Sequence, residues 1–589
     1  MATDLTTSEP MSAAADTRPL EAWLRRAAPS APYAVVALVA LYSRLRYGAF
    51  AYHDSFGSGD ADLILAKALF ISRGEWRPPV ELGAPASLFA DPPLIPFLLA
   101  GFTKLSGISL ATAPLVVTPA VSIAGLLALY AVVRRAFDPT VALAAALLVA
   151  LLPRFSFDST EPDKGAYVVS FFLLALLSAY AGQTRRPLLL LAGVFMGCSL
   201  FAHSTGYLFV PVYLLTLPAL ALAARAPLID RYVAAALVLP ALFFGAYVVL
   251  NHQFERTRET VAPIITTAPV GDTAAGTAAP PPAPTDEGRS WVPKTVRFYW
   301  DHFTGLASDH FENSAWNLYF DSVRKQAGGV VYGLAIAGWA LGAALVVVRR
   351  RLELVPLLAW MAVVTLLFAL QFPGFSHRSR YPSYVTPVFV VMAVAFTFAA
   401  ARWLVALLRV EPRYALAAAA PVLAFVAVTY LVADNPGARR NYQPTRQLAD
   451  YVAAQRLLDD GSGMLYLGWP GATFWLLEQR PEYERQMYAF GWGTVPLERF
   501  NRAFLDAKGV RYYAYDHTGS DYFGSADKMR EQLRGAYQLT PLRQFCGVAG
   551  VLSGDASTGC VSYVVLYRLD PAPTGATDDG ASGTSVGGS

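Results

Sequence analysis

The sequence predicts a mainly α-helical polytopic membrane protein of about 11 transmembrane helices, followed by a C-terminal extracytoplasmic α/β domain. Of the 589 residues, 55% are hydrophobic and only 15% are charged, which is too apolar for a soluble multidomain protein. Apolar runs of spanning length recur from residue 32 to residue 432, whereas helix and strand patterns alternate over residues 434–570. The net charge is only +4 and the basic residues form no stripe, which argues against a nucleic-acid partner.

The charges of the connecting segments predict the side of the membrane on which each loop lies. Short connections carry arginines, such as Arg134-Arg135 and Arg185-Arg186, and basic loops favour the cytoplasmic side. Longer connections hold most of the acidic residues and are expected outside. The predicted organisation is a cytoplasmic segment 1–30, a transmembrane domain 31–433 with outer loops 52–109 and 251–326, an extracytoplasmic domain 434–570 and a disordered tail 571–589.

The apolar runs place the individual helices. An apolar run begins at Leu94 and is closed by Lys104 and Gly107. It is short for a full crossing of about 20 residues, so we expect this helix to lie along the outer surface or to enter the membrane only partway. The spans are expected at about Pro32–Phe50, Leu110–Val133, Val141–Leu152, Tyr167–Ala181, Leu188–Ala202, Gly206–Ala223, Tyr232–Leu250, Val330–Val348, Val355–Phe372, Tyr384–Leu407 and Tyr414–Val432.

The stretch from Tyr52 to Trp76 carries the first acidic cluster. A Gly57-Ser58-Gly59 turn delivers Asp60 and Asp62 to the start of a short amphipathic helix. Carboxylates at a membrane surface are costly unless they have a partner, which favours a functional role. The alternative is a surface helix that Asp60 caps by accepting hydrogen bonds from free backbone amides.

A second acidic cluster follows the span at Val141–Leu152. Asp158, Glu161 and Asp163 fall on an outer loop, on the same side as Asp60 and Asp62. Carboxylates converging from two loops can bind a divalent metal through oxygen ligands, or supply a general base for an acceptor hydroxyl or amide. The alternative for this cluster is capping of the next helix, since acidic residues favour a helix N-terminus.

A basic motif occurs at the outer end of a late span, where arginines run against the charge rule. In the segment Ser376–Pro382, Arg378 and Arg380 precede Tyr381. The phosphate or pyrophosphate of a lipid is a natural partner, because the guanidinium offers a fork of donors to phosphate oxygens. Contact with lipid headgroups or pairing with the acidic loops is the alternative.

The C-terminal part predicts a small layered domain. Its expected elements are a helix at Thr445–Leu458, a strand at Met464–Leu467, a helix at Pro496–Lys508 closed by Gly509, and strands at Arg511–Tyr515 and Val561–Leu569. Cys546 and Cys560 lie in this part, and an oxidising outer compartment allows a disulfide between them.

Taken together, these motifs resemble the GT-C superfamily of polytopic membrane glycosyltransferases, which use polyprenyl-phosphate-linked sugar donors. Leu41–Arg46 resembles the end of the family's first span, and Gly59-Asp60-Ala61-Asp62 with Arg73–Trp76 resembles its first outer loop. Asp91-Pro92-Pro93-Leu94 resembles its Pro-Pro-Leu helix start. Arg380-Tyr381, with Pro387 six residues after the tyrosine, resembles its Arg-Tyr-x-x-x-x-x-Pro motif at a late span.

The resemblance implies roles for particular residues. Asp60 would be the catalytic or metal-side carboxylate, and Asp163 and Glu161 would complete the acidic site. Arg378 or Arg380, together with Tyr381 and Arg44, would bind the donor phosphate. If a divalent cation such as Mg²⁺ or Mn²⁺ is used, its ligands would be Asp60, Asp62 and Asp163, and no other cofactor is implied.

The implied function is transfer of a sugar from a polyprenyl-phosphate carrier to a glycan, lipid or protein acceptor at the outer membrane face. Glu161–Ala166 also resembles oligosaccharyltransferase catalytic subunits, which implies transfer of a lipid-linked oligosaccharide to protein as an alternative. Their Trp-Trp-Asp motif is absent, and the nearest stretch is Gly468–Trp475. A lipid-linked glycan transporter is a further alternative, although the sequence shows no internal repeat and its ionisable residues cluster on outer loops.

Overall fold

The structure is a computed structural model. It describes residues 30–47, 59–75, 93–162, 164–266, 316–371, 381–433, 443–467, 471–490, 500–516, 525–547 and 562–571. Within these ranges Asp60 and Asp62 are described by their backbone alone.

The membrane part is a bundle of helices. They are α1 Ala31–Tyr47, α2 Gly59–Arg73, α3 Leu94–Ser106, α4 Ala113–Ala136, α5 Pro139–Leu151, α6 Pro153–Asp158, α7 Lys164–Gly182, α8 Leu188–Ala202, α9 Val210–Ala223, α10 Arg231–Thr266, α11 Trp316–Ala327, α12 Gly329–Arg349, α13 Val355–Ala359, α14 Thr365–Gln371, α15 Thr386–Leu407 and α16 Ala415–Val432. A π-helical turn, Trp360–Val364, joins α13 to α14, and short 3₁₀ turns occur at Ser204–Phe209, Leu352–Leu354, Tyr381–Tyr384 and Pro412–Tyr414.

Each of the predicted spans coincides with a helix. Within the described residues, eight helices are long and apolar enough to cross a membrane. The other three predicted spans coincide with the shorter helices α1, α5 and α8. The short helix expected from Leu94 is α3, which ends at Ser106. The next residue, Gly107, caps it in the left-handed conformation with φ +73°. The polytopic helical fold class is therefore confirmed.

Proline sets the break between α5 and α6. Pro153 lacks a backbone N–H and crowds the preceding residue, so Leu152 is extended with ψ 112°. The six-residue helix that follows redirects the chain, and it carries Arg154 and Asp158 to the end of the bundle.

The arginine-rich connections meet at one end of the bundle. Arg351 Nη2 donates to the carbonyl oxygen of Ala136 at 3.0 Å, and Arg402 is paired with Asp138. In the connections just before the packed helices α8 and α10, Arg186 Nη2 lies 2.8 Å from Asp230 Oδ2. The loops predicted to be on the inner side therefore lie together.

The opposite end of the bundle joins the first and last spans. Tyr47 donates its hydroxyl to the carbonyl oxygen of Tyr430 at 2.5 Å. Beside it, Arg46 Nη2 donates to the carbonyl oxygen of Leu431 at 2.6 Å. Tyr47 is the last residue of α1, and Tyr430 and Leu431 lie in the last turn of α16, whose other end follows the exposed Arg409 and Arg413.

The C-terminal part contains a five-stranded mixed sheet. Its elements are α17 Gln443–Gln455, β1 Gly463–Leu467, α18 Gly471–Gln479, β2 Met487–Phe490, α19 Arg502–Ala507, β3 Val510–Asp516, α20 Ser525–Ala536, β4 Tyr537–Gly547 and β5 Ser562–Pro571. The strand order is β2-β1-β3-β5-β4, with β2, β1 and β3 parallel and β5 antiparallel to both β3 and β4. The predicted α/β architecture is confirmed.

Two details of this region differ from the sequence prediction. The helix expected from Pro496 begins at Arg502, because Asn501 is extended and accepts a hydrogen bond from the backbone amide of Phe504 as its N-cap. Helices α18 and α20 and strands β2 and β4 were not predicted from the sequence. Pro571, the first residue of the predicted tail, ends β5, and the tail beyond it lies outside the described residues.

Helix α2 is not the surface helix that the capping alternative assumed. It packs between α3 and α18 of the C-terminal region. From Leu63 to Phe70 every side chain is buried, including the charged Lys67. The C-terminal region therefore covers the helix that carries Asp60 near its start.

Candidate active site

Tyr384 joins three segments at the end of the bundle away from the arginine-rich loops. Its hydroxyl accepts a hydrogen bond from Thr205 Oγ1 at 3.0 Å. A Cβ on Gly165, at the start of α7, would lie 3.3 Å from the Tyr384 ring. Trp360 Nε1 donates to the Tyr384 carbonyl oxygen at 3.0 Å. The second acidic loop and the segment after Arg380 therefore meet around one buried tyrosine.

The second acidic loop is largely buried and contains charges of both signs. Arg154 Nη2 lies 2.8 Å from Asp158 Oδ1, one helical turn apart. Glu161 is only 1% exposed, and Lys164 at the start of α7 is also buried. Burying charge is costly unless charged or polar groups surround it. This loop is therefore a buried cluster of charged side chains and not a solvated connection.

Arg44 forms hydrogen bonds within the bundle. Its Nη1 donates to the Ala40 carbonyl oxygen at 2.9 Å, and its Nη2 donates to Ser122 Oγ on α4. The preceding Ser43 lies 3.3 Å, Oγ to Oγ, from Ser156 of α6. The Arg44 Nε has no hydrogen-bond acceptor among the described residues. Arg44 thus lies beside the helix that carries Arg154 and Asp158.

The structure describes only some of the remaining predicted site residues. Asp60 and Asp62 occupy the first turn of α2. Asp163, Arg378 and Arg380 lie outside the described residues. Tyr381 is buried, with its ring centroid 5.7 Å from that of Phe368. The roles assigned to all of these residues stay predictions.

The metal site also stays a prediction. Within the described part of the chain, no three His, Cys, Asp or Glu side chains form a group that could hold a metal ion. All three proposed ligands, Asp60, Asp62 and Asp163, have side chains outside that part.

In the C-terminal region, Cys546 on β4 is disulfide-bonded, and Cys198 is the free cysteine of the described chain. Cys560 lies outside the described residues, so its pairing with Cys546 stays a prediction.

Several polar residues at this end of the bundle were not predicted from the sequence as site residues. Lys67 and Arg154 adjoin apolar runs, and a charge next to or within such a run is a signal that could have found them. Thr205 and Tyr384 are separated by 179 residues in the sequence. Nothing local in either segment indicates the contact between them.

The C-terminal region is fixed to this end of the bundle by polar contacts. Arg73, the last residue of α2, donates from Nη2 to the Leu477 carbonyl oxygen at 2.6 Å. The Glu478 carboxylate accepts a hydrogen bond from the Ala111 amide at 3.3 Å. Burial raises the pKa of Glu478, while the Ala111 amide and Arg446 oppose this shift.

Comparison with solved structures identifies the architecture. The chain is similar to ArnT from Cupriavidus metallidurans bound to undecaprenyl phosphate, with a TM-score of 0.54 and 14% identity, covering 94% of this chain and 98% of that one. It is also similar to the Archaeoglobus fulgidus oligosaccharyltransferase in the apo form, with a TM-score of 0.52 and 14% identity, covering 90% of this chain and 76% of that one. Both belong to the GT-C superfamily. The chain has the GT-C fold.

Two further comparisons concern the GT-C fold of this chain. The family model described as dolichyl-phosphate-mannose-protein mannosyltransferase matches residues 90–250, which include α3, the second acidic loop and Thr205. The archaeal oligosaccharyltransferase AglB from Archaeoglobus fulgidus, in complex with an inhibitory peptide and a dolichol-phosphate, matches with a TM-score of 0.50 and 13% identity, covering 94% of this chain and 77% of that one. No curated protein sequence matches the chain.

Proposed function

We propose that this chain is a membrane glycosyltransferase that takes a sugar from a polyprenyl-phosphate carrier and transfers it to an acceptor at the outer membrane face. One observation carries the proposal: in a GT-C fold, the second acidic loop and the Tyr381–Tyr384 turn meet at the same end of the bundle. ArnT is described with undecaprenyl phosphate and AglB with a dolichol-phosphate, which supports a polyprenyl-phosphate donor here.

In this proposal the acidic residues act on the acceptor. Asp60, with Glu161 and Asp163 completing the acidic site, removes the proton from an acceptor hydroxyl as its oxygen attacks the anomeric carbon of the donor sugar. The new glycosidic C–O bond forms while the bond from the anomeric carbon to the phosphate oxygen breaks. If a divalent cation takes part, Asp60, Asp62 and Asp163 would hold it, and it would supply electrostatic stabilisation of developing negative charge.

The arginines act on the leaving group. Arg378 or Arg380 stabilises the polyprenyl phosphate as its negative charge develops, because a guanidinium donates two parallel hydrogen bonds to phosphate oxygens. Arg44, beside α6, adds positive charge from within the bundle. Tyr384 holds the turn that follows Arg380 against Gly165 and Thr205, and so keeps both halves of the site together.

The proposed orientation places this site and the C-terminal region outside the cytoplasm. The arginine-rich connections at the opposite end of the bundle support it, because such connections favour the cytoplasmic side. The C-terminal region then acts as an extracytoplasmic domain that covers α2.

A deletion strain tests the proposal. We expect its lipid extract to accumulate a sugar-loaded polyprenyl phosphate, and its glycans to lack one sugar unit. Purified full-length protein added to membranes of this strain should form the missing glycosidic bond and release polyprenyl phosphate. If the carrier accumulates but no bond forms, the transporter alternative replaces the proposal. Transfer of an oligosaccharide to an asparagine-containing peptide would instead favour the oligosaccharyltransferase alternative.

A further inference from the structure

A half-open cavity of about 350 Å³ lies at the end of the bundle opposite the candidate active site. The volume falls within the range of about 300–1,000 Å³ that is usual for ligand sites. The cavity lies between α12 and α15. Its inner wall is apolar and includes Leu341, Leu345, Met392 and Phe396, and its polar lining comes from Arg351, Arg402 and Asp138.

Close packing of two spans forms one border of the cavity. A Cβ on Gly338 would lie 2.2 Å from the Met392 carbonyl oxygen, so α12 and α15 are in backbone contact there. Gly342, four residues later, is also buried, and small residues at this spacing let helices approach closely. Toward the arginine-rich end the larger side chains of Leu345 and Phe396 line the open cavity.

The arginines at the mouth are exposed and only partly engaged within the protein. Arg402 donates a hydrogen bond from Nη2 to Asp138 Oδ2, and its side chain is 55% exposed. Arg351 is paired with Glu353 and donates to the Ala136 carbonyl oxygen, and 45% of its side chain is exposed. Arg134, Arg135, Arg349 and Arg350 surround the same end and are exposed. Arginines thus outnumber the nearby acids Asp138 and Glu353 around the opening.

The depth of the cavity matches a membrane interface. Trp403 is 67% exposed beside Arg402, and an exposed tryptophan near the end of a span is typical of the headgroup level. Leu345 and Leu341 lie about one and two helical turns before Arg349, the last residue of α12, which places them deeper than the headgroups, at the level of acyl chains. The opening therefore presents cations to headgroups and apolar side chains to lipid tails.

We propose that this cavity binds an anionic phospholipid of the cytoplasmic leaflet, with its phosphate at Arg351 and Arg402 and an acyl chain along Leu341, Leu345 and Phe396. The cytoplasmic assignment rests on the orientation in the proposed function. Anionic lipids are the fitting occupant, because basic pockets between spans on the cytoplasmic side attract their headgroups. The site is separate from the donor site at the other end of the bundle.

Native mass spectrometry of delipidated full-length protein tests this site with phosphatidylglycerol and phosphatidylcholine as probes. Wild type should retain phosphatidylglycerol preferentially. Arg402→Gln should weaken that retention about five-fold, the loss expected for one arginine near an anionic headgroup. Ala399→Phe keeps every charge but fills the cavity, and it should weaken retention as well.

Arg413→Gln is the matched control, because Arg413 is exposed at the same end and is also ion-paired, with Glu411, but does not line the cavity. It should leave retention unchanged. Equal losses in Arg402→Gln and Arg413→Gln, or full retention by a folded Ala399→Phe protein, would overturn the proposal in favour of diffuse surface charge. Displacement by inorganic phosphate alone would show a free-anion site instead. None of these readouts depends on transferase activity.

Discussion

Arg73 Nη2 donates a hydrogen bond of 2.6 Å to the carbonyl oxygen of Leu477, and this contact joins the helix that carries Asp60 to the C-terminal region. Arg73 Nη1 also lies 3.4 Å from the Glu484 carboxylate. A hydrogen bond from a charged donor to a carbonyl is worth more than this long, partly exposed ion pair. The position of α2 therefore depends on the C-terminal region as well as on the bundle.

Replacing Arg73 should loosen α2. Arg73→Met removes the donor to Leu477, and we expect a local loss of about 1.5 kcal/mol, equal to about ten-fold faster amide hydrogen exchange in α2. Hydrogen exchange of purified full-length protein measures this directly. Arg485→Met is the control, since Arg485 is exposed in the neighbouring turn. Unchanged exchange in Arg73→Met would contradict the docking account.

Much of the fold follows from the sequence because membrane spans are long, local and compositional. The order of the helices, the short α3 and the arginine-rich end all follow from apolar runs and loop charges. Helix α18 and strand β2 were missed because short elements that pack on a partner carry little periodicity of their own. The covering of α2 by α18 was missed for the same reason.

The candidate site was predictable only in part. Charges in apolar surroundings marked the acidic loop at Glu161, because such residues are rare unless they have a function. The contact of Tyr384 with Gly165 and Thr205 is long-range and leaves no local pattern. The sequence therefore indicates which loops matter but not which tyrosine joins them.

Glu478 should make docking of the C-terminal region depend on pH. Its pKa is raised in the folded protein, mainly by burial, so the folded state binds the proton more tightly than the unfolded state. This contribution to stability is fully present below the unfolded pKa and is lost as pH rises through the folded pKa. Thermal unfolding in detergent between about pH 4 and pH 7 should show it.

Glu478→Gln is the matched variant for that measurement, because the amide oxygen can still accept from Ala111 but cannot ionise. We expect the variant to flatten the pH dependence in that range and to be no less stable than wild type at pH 7. An identical pH profile for both proteins would show that Glu478 does not contribute.

Gly338 tests the close contact of α12 with α15. Gly338→Ala places a Cβ 2.2 Å from the Met392 carbonyl oxygen, and the helices must separate at a cost of about 1–3 kcal/mol. Gly333→Ala on the same helix meets nothing within 4 Å and should be neutral or slightly stabilising. Unfolding midpoints in detergent compare the two. Equal midpoints would contradict the packing described for these spans.

The hydrogen bond between Thr205 and Tyr384 should couple the two halves of the candidate site. In a double-mutant cycle of Tyr384→Phe and Thr205→Val, we expect a coupling free energy of about 0.5–1.5 kcal/mol for unfolding. Tyr384→Phe should also lower transfer activity, because the turn after Arg380 loses one of its anchors. Strictly additive effects of the two substitutions would show that the contact is not formed.

Asp60, in the first turn of α2, is proposed to act in the transfer reaction at the outer face. The most direct measurement is glycan and lipid-carrier analysis of cells carrying Asp60→Asn, compared with wild type, the deletion strain and Asp450→Asn, with protein abundance checked. Asp450 is exposed on α17, and its asparagine variant can still accept a hydrogen bond from Gln479. We expect Asp60→Asn to be present at normal abundance and to match the deletion in both analyses, while Asp450→Asn matches wild type. Wild-type glycans in the Asp60→Asn cells would contradict the proposed role of Asp60.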